Sequence, residues 1–166
     1  ESRLATLPLA ASVELHRRLG TWTRHVDAFI ALSDFQRQVM IKAGLSAKLV
    51  QVKPNFYSKN PLPVPLSERK AYVVFVGRLT REKGVINLLK AWQTWGASAP
   101  ELRLVGDGEL RSELERMAAG LSVCFLGQVD SNEAQAQIAG ARLLVLPSEW
   151  FETFGLVVVE AFALGT

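Results

Sequence analysis

The sequence predicts an α/β fold, a Rossmann-like parallel sheet with flanking helices. Between residues 72 and 166, short apolar runs alternate four times with longer amphipathic stretches. This alternation is typical of βαβ units, whose crossovers are right-handed and whose strands are parallel. The chain has 166 residues, 49% of them hydrophobic, which is enough to bury a sizeable core.

The first part of the chain is predicted to hold two helices and two short strands. The helix over residues 34–44 is the best defined, because Ser33 or Asp34 can cap its start and Gly44 can end it. The others are a helix over residues 9–24 and strands over 26–32 and 48–52.

Residues 53–69 form a linker and mark a domain boundary. They contain four of the seven prolines and no sustained hydrophobic period. We therefore predict that residues 1–60 are the tail of one domain and its hinge, and that residues 61–166 are a Rossmann-like domain truncated at its C-terminus. A start at Glu1 instead of Met, and an end just after the helix-stopping Gly165, both favour a fragment.

The second part supplies the strands and helices of the sheet. The predicted strands cover 72–76, 102–105, 123–126 and 142–147, and the helices cover 85–95, 109–120, 131–140 and an apolar stretch after Gly155. Ligands of such sheets bind where the carboxyl ends of strands meet helix N-termini. The site is therefore expected in four loops: 77–84, 106–109, 127–131 and 147–155.

The charge distribution and the cysteine content bear on the binding partners and the cellular compartment of the protein. Residues 1–60 hold nine Lys/Arg and four Asp/Glu, whereas residues 61–166 hold ten and twelve. A solvated basic helix face fits this pattern better than a surface that meets a membrane or a polyanion. Cys124 is the only cysteine, so no internal disulfide can form, as is usual in a reducing compartment. No apolar run is long enough to span a bilayer, and we expect a cytoplasmic protein.

The loop VGRLTREKG is a candidate anion site. Arg78 follows Gly77 at the end of a strand, and Lys83 precedes Gly84 and a helix. Arg offers a fork of donors to phosphate oxygens and Lys adds a point charge. Solvated loop charge is the alternative for this loop taken alone, and is the expected state of Arg81 and Glu82.

The second and third loops are less specific. VGDGELR lacks the third Gly of a dinucleotide-binding fingerprint, so a tight strand-to-helix turn is expected there, and a dehydrogenase is disfavoured. In FLGQVDSNE, Gln128 and Val129 can offer backbone contacts to a flat ring, and Ser131 is the expected N-cap of the next helix.

The fourth loop, within PSEWFETFGLVVVEAFALGT, holds two carboxylates. Thr153 is the expected cap, and Phe154, Gly155 and Leu156 present free amides at a helix N-terminus, which favours negative charge. Glu152 and Glu160 can both face one cavity and accept hydrogen bonds from sugar hydroxyls. The alternatives are a salt bridge to a structural Arg for Glu160 and an exposed loop position for Glu152. Trp150 and Phe151 are expected to pack the loop.

These stretches together resemble glycosyltransferase family 4, the retaining, sugar-nucleotide-dependent enzymes of the GT-B fold. The motifs that carry the resemblance are VGRLTREKG, LRLVGDGELR, FLGQV and PSEWFETFGLVVVEAFALGT, in that order. VDAFIALSDFQRQVMIKAGL and VQVKPNF look like the end of the family's N-terminal domain and its hinge, so the chain is a partial GT-B fold, mostly its C-terminal half.

The resemblance implies roles for particular residues. Arg78 and Lys83 would bind the donor diphosphate and stabilise it as it leaves, and Glu152 would hold the donor sugar. Glu160 would bind the ribose. Backbone contacts would come from Gly77, Phe154, Gly155 and Leu156, and Gln128 and Val129 would lie near the base.

The resemblance also implies the partners. The donor would be a UDP- or GDP-sugar, and the acceptor a carbohydrate or a lipid-linked molecule, such as a polysaccharide or a glycolipid. Peripheral contact of the protein with the inner face of the membrane would suit such an acceptor. No nucleic acid and no metal or other cofactor are expected. Because the family's acceptor site lies mostly in the N-terminal domain, the fragment alone is expected to be inactive. A GT-B-type epimerase or phosphorylase and a non-catalytic GT-B-like scaffold are the alternatives, although no lysine stands in a context typical of pyridoxal phosphate.

Overall fold

The structure is a computed structural model that describes residues 3–59 and 61–166. The chain divides into two compact units, Glu1–Asn55 and Phe56–Thr166. Asn60, the last residue before the boundary expected from the sequence, lies outside the described residues.

From residue 3 onward, the first unit contains three helices and a pair of parallel strands. Ser33 caps α3 by accepting a hydrogen bond from the Gln36 backbone N–H, as the sequence predicts. The helix expected over residues 9–24 begins earlier and is split at Gly20, whose φ of 68° is left-handed. The elements are α1 (Arg3–Leu19), α2 (Thr21–Arg24), β1 (Phe29–Ala31), α3 (Asp34–Lys42) and β2 (Val50–Val52), with Phe29 opposite Val50.

The second unit alternates strand and helix as predicted. Its elements are β3 (Tyr72–Val76), α4 (Val85–Trp95), β4 (Glu101–Val105), α5 (Arg111–Met117), β5 (Val123–Gly127), α6 (Ser131–Ala139), β6 (Leu143–Leu144) and α7 (Leu156–Leu164). Short 3₁₀ turns occur at Leu66–Glu68, Arg81–Lys83 and Gly96–Ser98.

The four strands of this unit form one parallel sheet in the order β5-β4-β3-β6. The chain moves outward from β3 to β5 and then returns to the opposite side of β3. The strand order therefore reverses between β3 and β6. A crevice opens at such a switch point, at the carboxyl ends of the two strands, and this is where ligands of open α/β sheets bind.

Strand alternation divides the core between the two faces of the sheet. On β3, the buried Val73 and Phe75 pack in one cluster with side chains of α4 and α5. The buried Tyr72 and Val74 face the other side, in a cluster that includes side chains of α6 and α7. Helices on both faces confirm the predicted fold class.

The Tyr72 ring shows how a polar group is accommodated in this core. Its hydroxyl donates to the Gln137 carbonyl at 2.7 Å, and the Arg103 guanidinium lies 3.8 Å from the ring centroid. Burial raises the pKa of Tyr72, so the phenol stays neutral and keeps donating this hydrogen bond.

Several local predictions for the second unit are wrong in detail. Strand β6 has two residues instead of six. Asp130, not Ser131, caps α6, because its carboxylate accepts hydrogen bonds from the backbone N–H groups of both Asn132 and Glu133. The last helix begins after Gly155, as predicted, but its N-cap residue is Gly155, with a φ of 73°, and not Thr153. Within residues 3–59 and 61–166, no helix is both long and apolar enough to cross a bilayer.

Candidate functional site

The loops that follow β3 and β6 pack directly on each other at the switch point. Gly84 has a φ of 69°, and a Cβ on it would stand 1.9 Å from the Pro147 carbonyl oxygen. The Glu149 backbone N–H donates to the Glu82 carbonyl at 3.0 Å, and the Asn87 amide donates to the Glu149 carboxylate at 2.6 Å. A glycine at position 84 is therefore what allows the two loops to meet.

A cavity of about 410 Å³ opens between these two loops. It brings together three residues that the sequence analysis singled out, Arg78, Lys83 and Glu152. Its remaining lining comes from Glu82, Trp150, Phe151 and Thr153. Two cations and two carboxylates thus share one concave site beside two aromatic side chains.

The Glu152 carboxylate is the centre of the polar contacts in this first cavity. Its Oε1 accepts hydrogen bonds from Lys83 Nζ at 2.5 Å and from Ser148 Oγ at 2.6 Å. Both Lys83 and Glu152 are three-quarters buried, so their ion pair is shielded from water. The Lys83 ammonium, helped by the Ser148 hydroxyl, holds the pKa of Glu152 below its usual range. Glu152 is therefore a fixed anion that can only accept hydrogen bonds.

Arg78 makes a looser pair at the edge of the first cavity. Its guanidinium Nη2 lies 3.4 Å from Glu82 Oε1, and its side chain is 73% exposed. A hydrogen bond from its own backbone N–H holds the pKa of Glu82 below the usual range. An exposed pair of this kind contributes little free energy, so Arg78 can exchange Glu82 for another anion at small cost.

A second cavity of about 560 Å³ lies along the carboxyl ends of β3, β4 and β5. Arg78 lines both cavities, so the two cavities adjoin each other at this side chain. The second cavity collects Gly77, Gln128 and Val129, the other residues expected near a nucleotide, together with Val76, Val105, Gly106, Asp107, Gly108 and Ala134.

Glu160 lies on α7, outside the lining of both cavities. Within the part of the chain that the structure describes, its carboxylate has no hydrogen bond or salt bridge, so the expected alternative of a pairing with a structural Arg is not seen. Burial raises the pKa of Glu160, and the positive charge of Lys59 opposes that rise. Lys59 itself donates to Gln135 Oε1 on α6 at 3.0 Å.

The predicted backbone groups around the start of α7 also stand apart from the cavities. Phe154, Gly155 and Leu156 are absent from both linings. Gly155 and Leu156 mark the start of α7, and the Gly155 carbonyl accepts from the Val158 N–H at 2.9 Å. The structure thus places four predicted site residues on or beside α7 and the other six around the two cavities.

Sequence reasoning missed two polar residues and misjudged two aromatic ones. Glu82, expected to be solvated, is only partly exposed and lines the cavity. Ser148 was not considered, although a hydroxyl four positions before Glu152 was the available signal. Trp150 and Phe151, expected to pack the loop, are 69% and 78% exposed.

Among the described residues, no cluster of three or more His, Cys, Asp and Glu could hold a metal ion.

Comparison with known proteins identifies the family. The profile of the family described as glycosyl transferases group 1 matches residues 59–166, which include all residues lining the two cavities. The chain therefore belongs to the glycosyl transferases group 1, and the resemblance to glycosyltransferase family 4 is confirmed.

Individual relatives agree with this assignment. The chain is 37% identical over 98 residues to the sulfoquinovosyl transferase SQD2 of Arabidopsis thaliana, covering 58% of this chain and 18% of the relative. It is 33% identical over 147 residues to the phosphatidyl-myo-inositol mannosyltransferase of Mycolicibacterium smegmatis, covering 82% and 37%.

A solved structure supports the fold. The structure of Anabaena Alr3699/HepE in complex with UDP-glucose matches with a TM-score of 0.72 and 27% identity, covering 84% of this chain and 43% of that one. The chain thus spans less than half the length of each of these three proteins.

Proposed function

We propose that this chain carries the donor site of a retaining glycosyltransferase, which transfers a sugar from a nucleoside-diphosphate sugar to a carbohydrate or lipid-linked acceptor. The observation that carries the proposal is the convergence of Arg78, Lys83 and Glu152 in one cavity at the switch point of the sheet. The match to a protein solved with UDP-glucose supports the choice of donor.

In this proposal, Arg78 and Lys83 hold the diphosphate. When the bond between the sugar and the diphosphate breaks, negative charge builds on the phosphate oxygens. The largely buried Lys83 and the exposed Arg78 at the edge of the cavity stabilise this charge. The diphosphate takes the place of Glu82 beside Arg78 and shares Lys83 with Glu152. Because side-chain cations supply this charge, the reaction needs no metal.

The remaining residues position the two ends of the donor. The Glu152 carboxylate is an anion, and within residues 3–59 and 61–166 only its Oε1 accepts a hydrogen bond. Its Oε2 accepts hydrogen bonds from hydroxyls of the sugar near the reacting carbon. The base lies in the second cavity beside Gln128 and Val129, with Gly77 at its edge. Glu160 accepts from the ribose hydroxyls, and Phe154, Gly155 and Leu156 offer backbone amides at the start of α7.

The acceptor side of the proposal rests on the relatives. One of them is named for mannosyl transfer to phosphatidyl-myo-inositol, which supports a lipid-linked acceptor. We propose that residues 1–166 bind the donor without completing the transfer, since more than half of each matched protein has no counterpart here. Retention of the anomeric configuration, with departure and attack on the same face, belongs to the same proposal.

Titration calorimetry with UDP and GDP in the presence of EDTA tests the donor site. We expect one nucleotide to bind, and Arg78→Ala to weaken that binding roughly ten-fold or more, because a charge-assisted hydrogen bond to phosphate is lost. Persistence of binding in EDTA is the expected sign of metal independence.

The matched control is Arg81→Ala. Arg81 is exposed, belongs to the same loop and lies outside the lining of both cavities, so its removal lowers the net charge equally without touching the proposed contact. Binding of neither nucleotide by the wild-type chain would contradict the proposal. An equal loss of affinity in both variants would show that the nucleotide is attracted by the positive charge of the loop and not by a specific contact with Arg78.

A further inference from the structure

Trp150 is an exposed aromatic side chain at the first cavity. It is 69% exposed and lines the cavity that also holds Lys83 and Glu152. The rings of the other tryptophans already contact another ring. Trp22 packs against His16, and the ring centroids of Trp92 and Trp95 are 5.7 Å apart. Within the described residues, Trp150 alone of the four has neither a ring contact nor a hydrogen bond.

The backbone on both sides of Trp150 is anchored. The Glu149 N–H is bound to the Glu82 carbonyl, and its carboxylate is bound to Asn87. Two residues after Trp150, Glu152 is held by Lys83 and Ser148. The indole is therefore presented from a fixed stretch of chain, beside a carboxylate whose position is also fixed. Such preorganisation lowers the cost of binding.

The chemistry of the cavity matches a sugar ring linked to an anion. A pyranose carries hydroxyls around its edge and C–H groups on its faces. The Glu152 carboxylate can accept hydrogen bonds from the hydroxyls, and a flat aromatic side chain can pack against the C–H face. Arg78 and Lys83 can donate charge-assisted hydrogen bonds to an attached phosphate. Ligand sites commonly combine an apolar or aromatic wall with a few polar groups in a cavity of roughly 300–1,000 Å³, a range that includes this one.

We propose that Trp150 binds one face of a pyranose ring held in this cavity and so contributes to the choice of sugar. The proposal rests on the proposed function, because the ring is that of a glycosyl-transfer substrate. Two substrates can supply it, the sugar of the nucleotide donor or the terminal sugar of the acceptor. In either position the indole covers the C–H face while Glu152 holds the hydroxyl edge.

Fluorine NMR of the chain labelled with 5-fluorotryptophan tests this contact directly. The four tryptophans give four resonances, and Trp150→Phe identifies the one from Trp150. Three additions are compared: UDP, UDP-glucose, and UDP followed by methyl α-glucoside, with GDP and GDP-mannose used if GDP is the nucleotide that binds. We expect a saturable shift of the Trp150 resonance when a pyranose is present and no shift with the nucleotide alone.

The pattern of shifts separates the two sources of the ring. A shift with the nucleotide sugar assigns Trp150 to the donor sugar. A shift only when free methyl α-glucoside joins the bound nucleotide assigns it to the acceptor. If the nucleotide binds and neither saccharide moves the resonance, the Trp150 proposal is wrong and the donor site stands. If no nucleotide or nucleotide sugar binds, the proposed function fails and the Trp150 proposal fails with it.

Calorimetry supplies the matching energetic test. For the saccharide that moves the resonance, we expect Trp150→Ala to weaken binding about five-fold, as for the loss of an aromatic contact, and Trp150→Phe to retain most of the affinity. The affinity for the nucleotide alone should not change in either variant. Trp95→Ala removes an indole that is 55% exposed and lies outside the cavity, and should change neither affinity. Equal weakening by Trp95→Ala would overturn the assignment.

Discussion

At the scale of single residues, Glu160 presents a conflict between stability and binding. It lies in a helix whose other residues are all apolar, Leu156–Leu164, and burial raises the pKa of its carboxyl. The positive charge of Lys59 partly offsets the cost of the negative charge on Glu160. The Lys59 ammonium donates its hydrogen bonds to side chains of α6 and not to Glu160. A carboxylate in this state destabilises the ligand-free protein at neutral pH, and such a cost is tolerated where a ligand later supplies the missing hydrogen bonds.

Glu160→Gln should therefore raise stability and lower nucleotide affinity together. The folded state holds its proton on Glu160 to a higher pH than the unfolded state does. Stability is therefore lost as the pH rises from the ordinary value of 4.5 through the raised pKa. Glutamine mimics the protonated acid, so we expect the melting temperature at pH 7 to increase by about 2 °C. The nucleotide should bind several-fold more weakly, because an amide is the poorer partner for ribose hydroxyls.

Thermal unfolding at pH 7 and pH 4, with calorimetry at pH 7, checks both halves of this prediction. The stabilisation should largely disappear at pH 4, below the ordinary pKa of 4.5, because the carboxyl is then mostly protonated in folded and unfolded chains alike. Glu109→Gln, which neutralises an exposed carboxylate outside both cavities, should show neither effect. An unchanged affinity in Glu160→Gln would remove this residue from the proposed ribose contact.

At the scale of elements, the hydrophobic periodicity of the sequence predicted the bounds of strands and helices. It did not predict features that depend on contacts between residues far apart in the sequence. The bounds of strands β3 to β5 and helix α4 agree with the predicted ones within one residue at either end, because each is a largely apolar run or an amphipathic period. Strand β6 is shorter than its apolar run, because only Leu143 and Leu144 pair with β3. The roles of Glu82 and Ser148 depend on loops that meet from distant parts of the sequence.

The contact between these two loops makes a sharp prediction for Gly84. In Gly84→Ala, the new Cβ would stand 1.9 Å from the Pro147 carbonyl oxygen and the residue would need a left-handed φ of 69°. Since the clash is with backbone, the loops must separate, and the pairing of Lys83 with Glu152 is lost with them. We expect the free energy of unfolding to fall by about 2 kcal/mol or more, with nucleotide binding strongly weakened. Urea unfolding and calorimetry measure the two effects.

Gly120→Ala is the control that separates strain from contact. Gly120 also has a left-handed φ, of 80°, but no atom lies within 4 Å of the position its Cβ would take. This variant should lose only the backbone contribution, about 1 kcal/mol, and keep full nucleotide affinity. If the two variants are equally destabilised and both bind normally, the close approach of the loops does not shape the site.

At the scale of the whole molecule, the predicted chemistry belongs to a single unit. Every residue that lines either cavity, together with Lys59 and Glu160, belongs to the unit Phe56–Thr166. The same unit holds both core clusters and the four described strands of the sheet β5-β4-β3-β6. A unit that buries its own core on both faces of a sheet is expected to fold independently.

Residues 56–166 expressed alone should therefore unfold cooperatively and bind the nucleotide with the same affinity as the 166-residue chain, within about two-fold. Circular dichroism during urea unfolding tests the fold, and calorimetry with UDP and GDP tests the site. Arg78→Ala in the shorter chain should reproduce the loss seen in the longer one, because the phosphate contact does not depend on residues 1–55. A cooperative fold with affinity reduced ten-fold or more would show that the first unit contributes to donor binding, and the donor site would then have to be assigned to both units.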